Sequence, residues 1–225
     1  MRQLFTLLIL IFVAGISSNT FAQEVKINTN LAVETDGTLR ADGEATTWDD
    51  LRVPLSSADK RADRTELSGI PFGSSTGPLI DWFRASGNDE MYFVAQLPHS
   101  WKEGTIIYPH IHWIPSIDGA AGPTVPKWGL EYVWLDIGET YTSYETIYGT
   151  TTSTSEVLVA NRHYLTSLGS NGIDGAGKHI SSMLVCRIFR DGDDGADNFT
   201  GSAGALEVDF HYEINTMGSR EPLSK

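Results

Sequence analysis

The clearest pattern lies near the C-terminus, where Leu206, Val208, Phe210, Tyr212 and Ile214 alternate with Glu207, Asp209, His211 and Glu213. Strict alternation of this kind marks a strand with one buried face. Trp128, Leu130, Tyr132 and Trp134 share a face in a second run, Trp128 to Ile137. Glu90 to Leu97, closed by Pro98, and Thr105 to Ile114 read as two more strands. Lys178 to Arg190 is a longer apolar run, suited to a strand covered on both faces. Shorter candidates lie at Tyr144–Tyr148 and Glu156–Val159. The connectors are rich in turn formers: Asp118 to Pro123, Asn171 to Gly175 and Asp191 to Gly195. No amphipathic run of helical period has useful length. Short strands with such connectors predict an all-β chain, as an antiparallel sandwich, a jelly roll or a small barrel.

The two ends of the pattern differ from its middle. Arg2 followed by the apolar run Leu4 to Val13 and the small-residue exit Thr20-Phe21-Ala22 reads as a signal peptide over residues 1–22, cleaved after Ala22. The run is too short to span a bilayer. The expectation is therefore an exported, water-soluble chain, at the cell surface, in the periplasm or outside the cell, with no membrane insertion. Residues 23–50 carry two Asp-Gly turns, Asp36-Gly37 and Asp42-Gly43, and read as an N-terminal arm of short strands. Residues 51–225 form the expected β-sandwich domain. Within it, Ser56 to Pro78 is poor in large apolar residues and reads as a long loop; a short helix over Ala58–Leu67 would have too thin an apolar stripe.

Charge narrows the partners. The 29 acidic and 16 basic residues give a formal charge of -13, which repels nucleic-acid phosphates and anionic lipid. The one cysteine, Cys186, lies in an apolar run and cannot form an intrachain disulfide, so it reads as a buried structural residue. There is no Gly-x-Ser-x-Gly, His-Glu-x-x-His or phosphate-cradling glycine loop. The chain is accordingly read as a non-catalytic module.

Two groups of residues suggest metal chemistry nonetheless. His110 and His112, one residue apart in a strand, leave the same face, and His99 is close in sequence. Gly104-x5-His110-x-His112 resembles the opening of the first cupin motif, which implies, as an alternative function, a metal-dependent cupin-like enzyme with a transition metal held by His99, His110 and His112. The Glu that motif wants next is replaced by Trp113-Ile114-Pro115-Ser116-Ile117 before Asp118, and no second cupin motif follows. Ile106, Tyr108 and Ile114 share the face of His110 and His112, so packed or partner-contacting histidines are the alternative. Asp191, Asp193, Asp194 and Asp197 alternate with glycines as in a calcium loop, although Ser202 stands where an EF-hand has its bidentate Glu. No other cofactor is expected. Asn198-Phe199-Thr200 fits a glycosylation sequon. Six Trp and eight Tyr leave a carbohydrate-binding module as a further alternative, against core packing of Trp113, Trp128 and Trp134.

Several segments resemble poorly characterised virion-associated structural proteins of tailed phages and prophages, here with an export signal ahead of them. These are Trp48 to Pro54, Tyr92 to Gly104, Pro109 to Trp113, Trp128 to Tyr132, Ser181 to Arg187, Asp209 to Glu213 and Met217 to Arg220. The resemblance covers about residues 45–220. It implies a jelly-roll-like structural or adhesive module that self-assembles, as a trimer by analogy with other jelly rolls, or binds a surface. It implies no catalytic residues.

Overall fold

A computed structural model describes residues 25–59, 65–72, 74–121, 124–149 and 157–225. The signal peptide expected at residues 1–22 lies outside them. The described chain is all-β, with only two single 3₁₀ turns, at Gly43–Ala45 and Leu55–Ser57. The strands are β1 (Val25–Lys26), β2 (Leu31–Val33), β3 (Leu39–Ala41), β4 (Thr47–Pro54), β5 (Glu66–Phe72), β6 (Ser75–Phe83), β7 (Asn88–Gln96), β8 (Tyr108–Pro115), β9 (Trp128–Leu135), β10 (Glu145–Tyr148), β11 (Tyr164–Ser167), β12 (Met183–Asp191) and β13 (Ala203–Ile214).

Strand pairing gives the architecture directly. β9 pairs β10, β8 pairs β11, β7 pairs β12 and β6 pairs β13, all antiparallel, so the chain from β6 onward is a nested set of hairpins. Rolling that ribbon adds the pairs β13 with β8 and β12 with β9. The result is two facing sheets in the orders β11-β8-β13-β6 and β10-β9-β12-β7, the double Greek key of a jelly roll. The first sheet is extended by β5 beside β6, and β4 takes the edge of β13 that β6 leaves. A separate meander, β1-β2-β3, precedes β4.

The core lies between the two large sheets. Trp128, Leu130, Tyr132 and Trp134 of β9 meet Ile111 and Trp113 of β8 and Val208, Phe210 and Tyr212 of β13 in one buried cluster, with the expected alternation. Within β13 the alternation changes phase at a bulge between Ala205 and Glu207. The extra residue lets Ala203 and Ala205 face the core on one side of it and Val208, Phe210 and Tyr212 on the other. Leu206, expected on the buried face, falls at this bulge and is only half-buried.

Three expectations are corrected. Residues 56–78, read as a loop, contain β5 and the start of β6, a hairpin whose side chains are largely exposed and so lack an apolar stripe. β12 is central in its sheet, but its outward residues Met183, Val185 and Arg187 are only half-buried, so its second face is not fully covered. No strand occupies residues 157–159; residue 156 lies outside the described set. β4 straddles residues 50 and 51, with Asp50 opposite His211 and Leu51 opposite Phe210.

Candidate functional site

Two surfaces of the sandwich gather polar chemistry. The first is the outward face of β11, β8, β13 and β4. Alternation sends Tyr108, His110 and His112 outward from β8, and Glu207, Asp209 and His211 outward from β13. Register sets Asp209 opposite both His110 and Arg52, Glu207 opposite His112, and His211 opposite both Tyr108 and Asp50. Asp209 is therefore gripped from two directions. Its Oδ1 lies 3.1 Å from His110 Nδ1 and its Oδ2 lies 3.0 Å from His112 Nε2.

These contacts fix proton positions. A carboxylate only accepts, so His110 carries its proton on Nδ1 and His112 carries one on Nε2. In the neutral ring, His112 Nδ1 is then an acceptor for Nε2–H of His163, 2.7 Å away. Burial pushes the Asp209 carboxyl up, but the bonds from His110 and His112 outweigh it and hold the group below the usual carboxylate range. His163 is held below the usual imidazole range, by burial first and by the neighbouring His112 second. At the other end of the row, His211 Nδ1 donates to Asp50 Oδ1 at 2.7 Å. The His211 ring stacks on Trp48, with centroids 5.0 Å apart and planes at 14°. Arg52 and Glu207 close this face with a two-pronged ion pair at 2.7 and 2.8 Å.

The second surface is a cleft of about 680 Å³ beside β10. Tyr132 and Trp134 from β9, Glu145 and Ile147 from β10, Glu139, Thr140, Thr142 and Ser143 from the β9–β10 connection, and Asp174 and Lys178 from the segment before β12 line it. Tyr132 Oη donates to Glu145 Oε2 at 2.7 Å, and burial, with that bond second, pushes the phenol up. Lys178 Nζ donates to Glu139 Oε2 at 2.7 Å, which holds that carboxyl below its usual range. Trp134 Nε1 donates to Ser182 Oγ at 2.8 Å. The β9–β10 connection also exposes Tyr141 and Tyr144.

The residues singled out from the sequence are distributed as follows. His110 and His112 come together on Asp209. His99 joins neither: its Nδ1 meets Ser219 Oγ at 2.7 Å and its Nε2 meets Ser181 Oγ at 2.9 Å, so both ring nitrogens are occupied. Among the described residues, no group of three or more His, Cys, Asp or Glu is arranged to hold an ion. The four aspartates of the 191–197 segment, which carries the chain from β12 across to β13 in the other sheet, are engaged by protein. Asp197 clamps Arg190 through both oxygens at 2.7 and 2.8 Å. Asp194 takes Lys127 Nζ at 2.5 Å, Asp191 lies 3.6 Å from the same amine, and Asp193 accepts Gly87 N–H at 2.9 Å. Cys186 is buried, which pushes its thiol well above the ordinary range. Trp113, Trp128 and Trp134 fill the core.

The sequence did not single out His163, His211, Asp50, Trp48 or the cleft residues, because each becomes a neighbour only through cross-strand register. The alternation in β13 had already sent Asp209 and His211 to the polar face, and that was the available signal.

No family model matches the chain, and no curated protein matches it. Among solved structures, that of TmCBM61 in complex with beta-1,4-galactotriose is similar with a TM-score of 0.31 at 13% identity, covering 75% of this chain and 88% of that one. The fold assignment rests on the strand pairing above.

Proposed function

We propose that this chain is an exported, non-catalytic adhesive module that binds a glycan in the cleft beside β10. One observation carries the reading: a cleft of about 680 Å³ combines carboxylates, a lysine and several hydroxyls above the mostly buried Tyr132 and Trp134, and the connection that borders it exposes Tyr141 and Tyr144. That volume lies within the usual range of ligand sites, roughly 300–1,000 Å³. Sugars present C–H faces that pack on aromatic rings and hydroxyls that bond to carboxylates, amines and alcohols. Glu139, Glu145, Asp174 and Lys178 supply such partners, and Tyr141 and Tyr144 add exposed rings in the same connection.

The test is a glycan array probed with the full chain, followed by calorimetry on any glycan retained. Lys178→Met and Asp174→Asn are each expected to weaken binding by about tenfold, the loss of one hydrogen bond to a charged group. An array without hits, or hits whose affinity neither variant alters, overturns the reading.

Self-assembly is a second reading, favoured by the β5–β6 hairpin, which exposes Leu67 and Leu79 at 54% and 56%. Sedimentation equilibrium that finds only monomer at high concentration refutes it.

A further inference from the structure

The imidazole row on the outward face of the larger sheet contains two different pairs. His112 and His163 point nitrogen to nitrogen at 2.7 Å with ring centroids 5.0 Å apart. That spacing fits one shared proton. It leaves no room for an ion, since a metal with bonds of about 2.0–2.1 Å to each imidazole holds the two nitrogens more than 3 Å apart at tetrahedral angles.

His110 and His211 are arranged otherwise. Each has Nδ1 committed to a carboxylate, His110 to Asp209 at 3.1 Å and His211 to Asp50 at 2.7 Å. Because a carboxylate only accepts, both rings carry their proton on Nδ1 and present a lone pair at Nε2 when neutral. Neither Nε2 has a hydrogen-bond partner among the contacts of the described residues. The ring centroids lie 6.2 Å apart. Two imidazoles sharing one ion span roughly 5–6.5 Å between ring centres, given metal–nitrogen bonds of about 2.0–2.1 Å. Trp48 stacked on His211 limits the rotation of that ring. Asp50 and Asp209 place negative charge around the pair, while Glu213 is matched by Lys102 at 2.8 Å and Arg52 by Glu207.

We infer that His110 and His211 form a cross-strand chelate for one divalent transition-metal ion of the zinc, nickel or copper class, through Nε2 of each ring, with water completing the coordination. Asp209 and Asp50 act behind the ligands: a carboxylate on Nδ1–H fixes the tautomer and raises the basicity of Nε2. Two imidazoles and no thiolate suit these borderline ions rather than calcium or magnesium. The site is independent of the cleft beside β10, and either can fail alone.

The test uses the full chain, purified without chelators and titrated with Ni²⁺ alone by calorimetry. One equivalent is expected to bind, and His211→Ala, at a half-buried position on the sheet surface, is expected to weaken it by at least about tenfold. Asp50→Asn is expected to cost about 10–100-fold through loss of the supporting carboxylate. A measurement on the unmutated protein runs alongside: paramagnetic Ni²⁺ is expected to broaden the His110 and His211 ring signals first. Absence of binding overturns the inference. So does unchanged affinity in His211→Ala, or broadening centred on His112 and His163.

Discussion

Arg190 is wholly buried, and among the described residues Asp197 is its only charged partner within hydrogen-bond reach. Every N–H of its guanidinium is used. Nε and Nη2 donate to Asp197, Nη2 also to the Phe199 carbonyl, and Nη1 to the carbonyls of Phe83 and Gly201 at 3.1 and 2.6 Å. Asp197 Oδ2 further accepts Lys127 N–H at 2.9 Å. The Asp197 side chain is 1% exposed, so water cannot replace either partner. Asp197→Asn keeps the shape, removes the neutralising charge and turns an amide donor toward a guanidinium donor. Breaking a buried pair from one side costs about 3–5 kcal/mol, a fifth or more of a typical domain stability of about 5–15 kcal/mol. Urea unfolding followed by tryptophan fluorescence suits the measurement, since Trp101 and Trp128 are fully buried. At a slope of about 2 kcal/mol/M the midpoint is expected to fall by roughly 1.5–2.5 M, with the slope unchanged. Asp193→Asn, in the same β12–β13 connection but exposed, is the internal comparison and should cost no more than about 1 kcal/mol. A loss below about 1 kcal/mol for Asp197→Asn would show that water reaches the pair, and the reasoning fails.

Two further outcomes are expected. A Cβ on Gly129 would lie 2.2 Å from Cζ of Phe189, whose ring is held between Arg187, at 4.3 Å, and Tyr148, at 6.0 Å. Gly129→Ala is therefore expected to cost about 1–3 kcal/mol, and an unaltered thermal midpoint refutes the close packing. His179 donates to Asp136 at 2.9 Å, which raises its pKa above the usual 6.5. The folded value exceeds the unfolded one, so this interaction contributes fully below pH 6.5 and is lost as pH rises through the raised value. Proton NMR should show the elevated midpoint and its return to normal in Asp136→Asn; a normal midpoint in the parent chain excludes the contact.

Legibility in the sequence followed burial. β9 and most of β13 were readable because one face packs against the opposing sheet, and that imposes period two. β4, with Asp49, Asp50 and Arg52 among its residues, shows no such pattern because it sits at a sheet border with most side chains exposed. The β5–β6 hairpin was hidden for the same reason. The phase change at Ala205–Glu207 was invisible because an inserted residue announces itself only against a partner strand. The pairing of His110 with His112 was legible from spacing within one strand. Their convergence with His163, His211 and Asp209 depends on which strands lie side by side, and separations of 51 and 97–99 residues carry no local mark. His99 misled because proximity in sequence ended at the loop after β7.

The strand that joins β8, β6 and β4 is β13, which follows all of them in the chain. Until residues 203–214 are present, the larger sheet lacks its middle: β8 has only β11 beside it and β4 has no partner strand among the described residues. Pairing across such sequence distances is slow, because long loops must close before any contact rewards them. Completion of the larger sheet therefore waits on residues 203–214, whereas the β9–β10 hairpin closes a short loop and needs no part of β13.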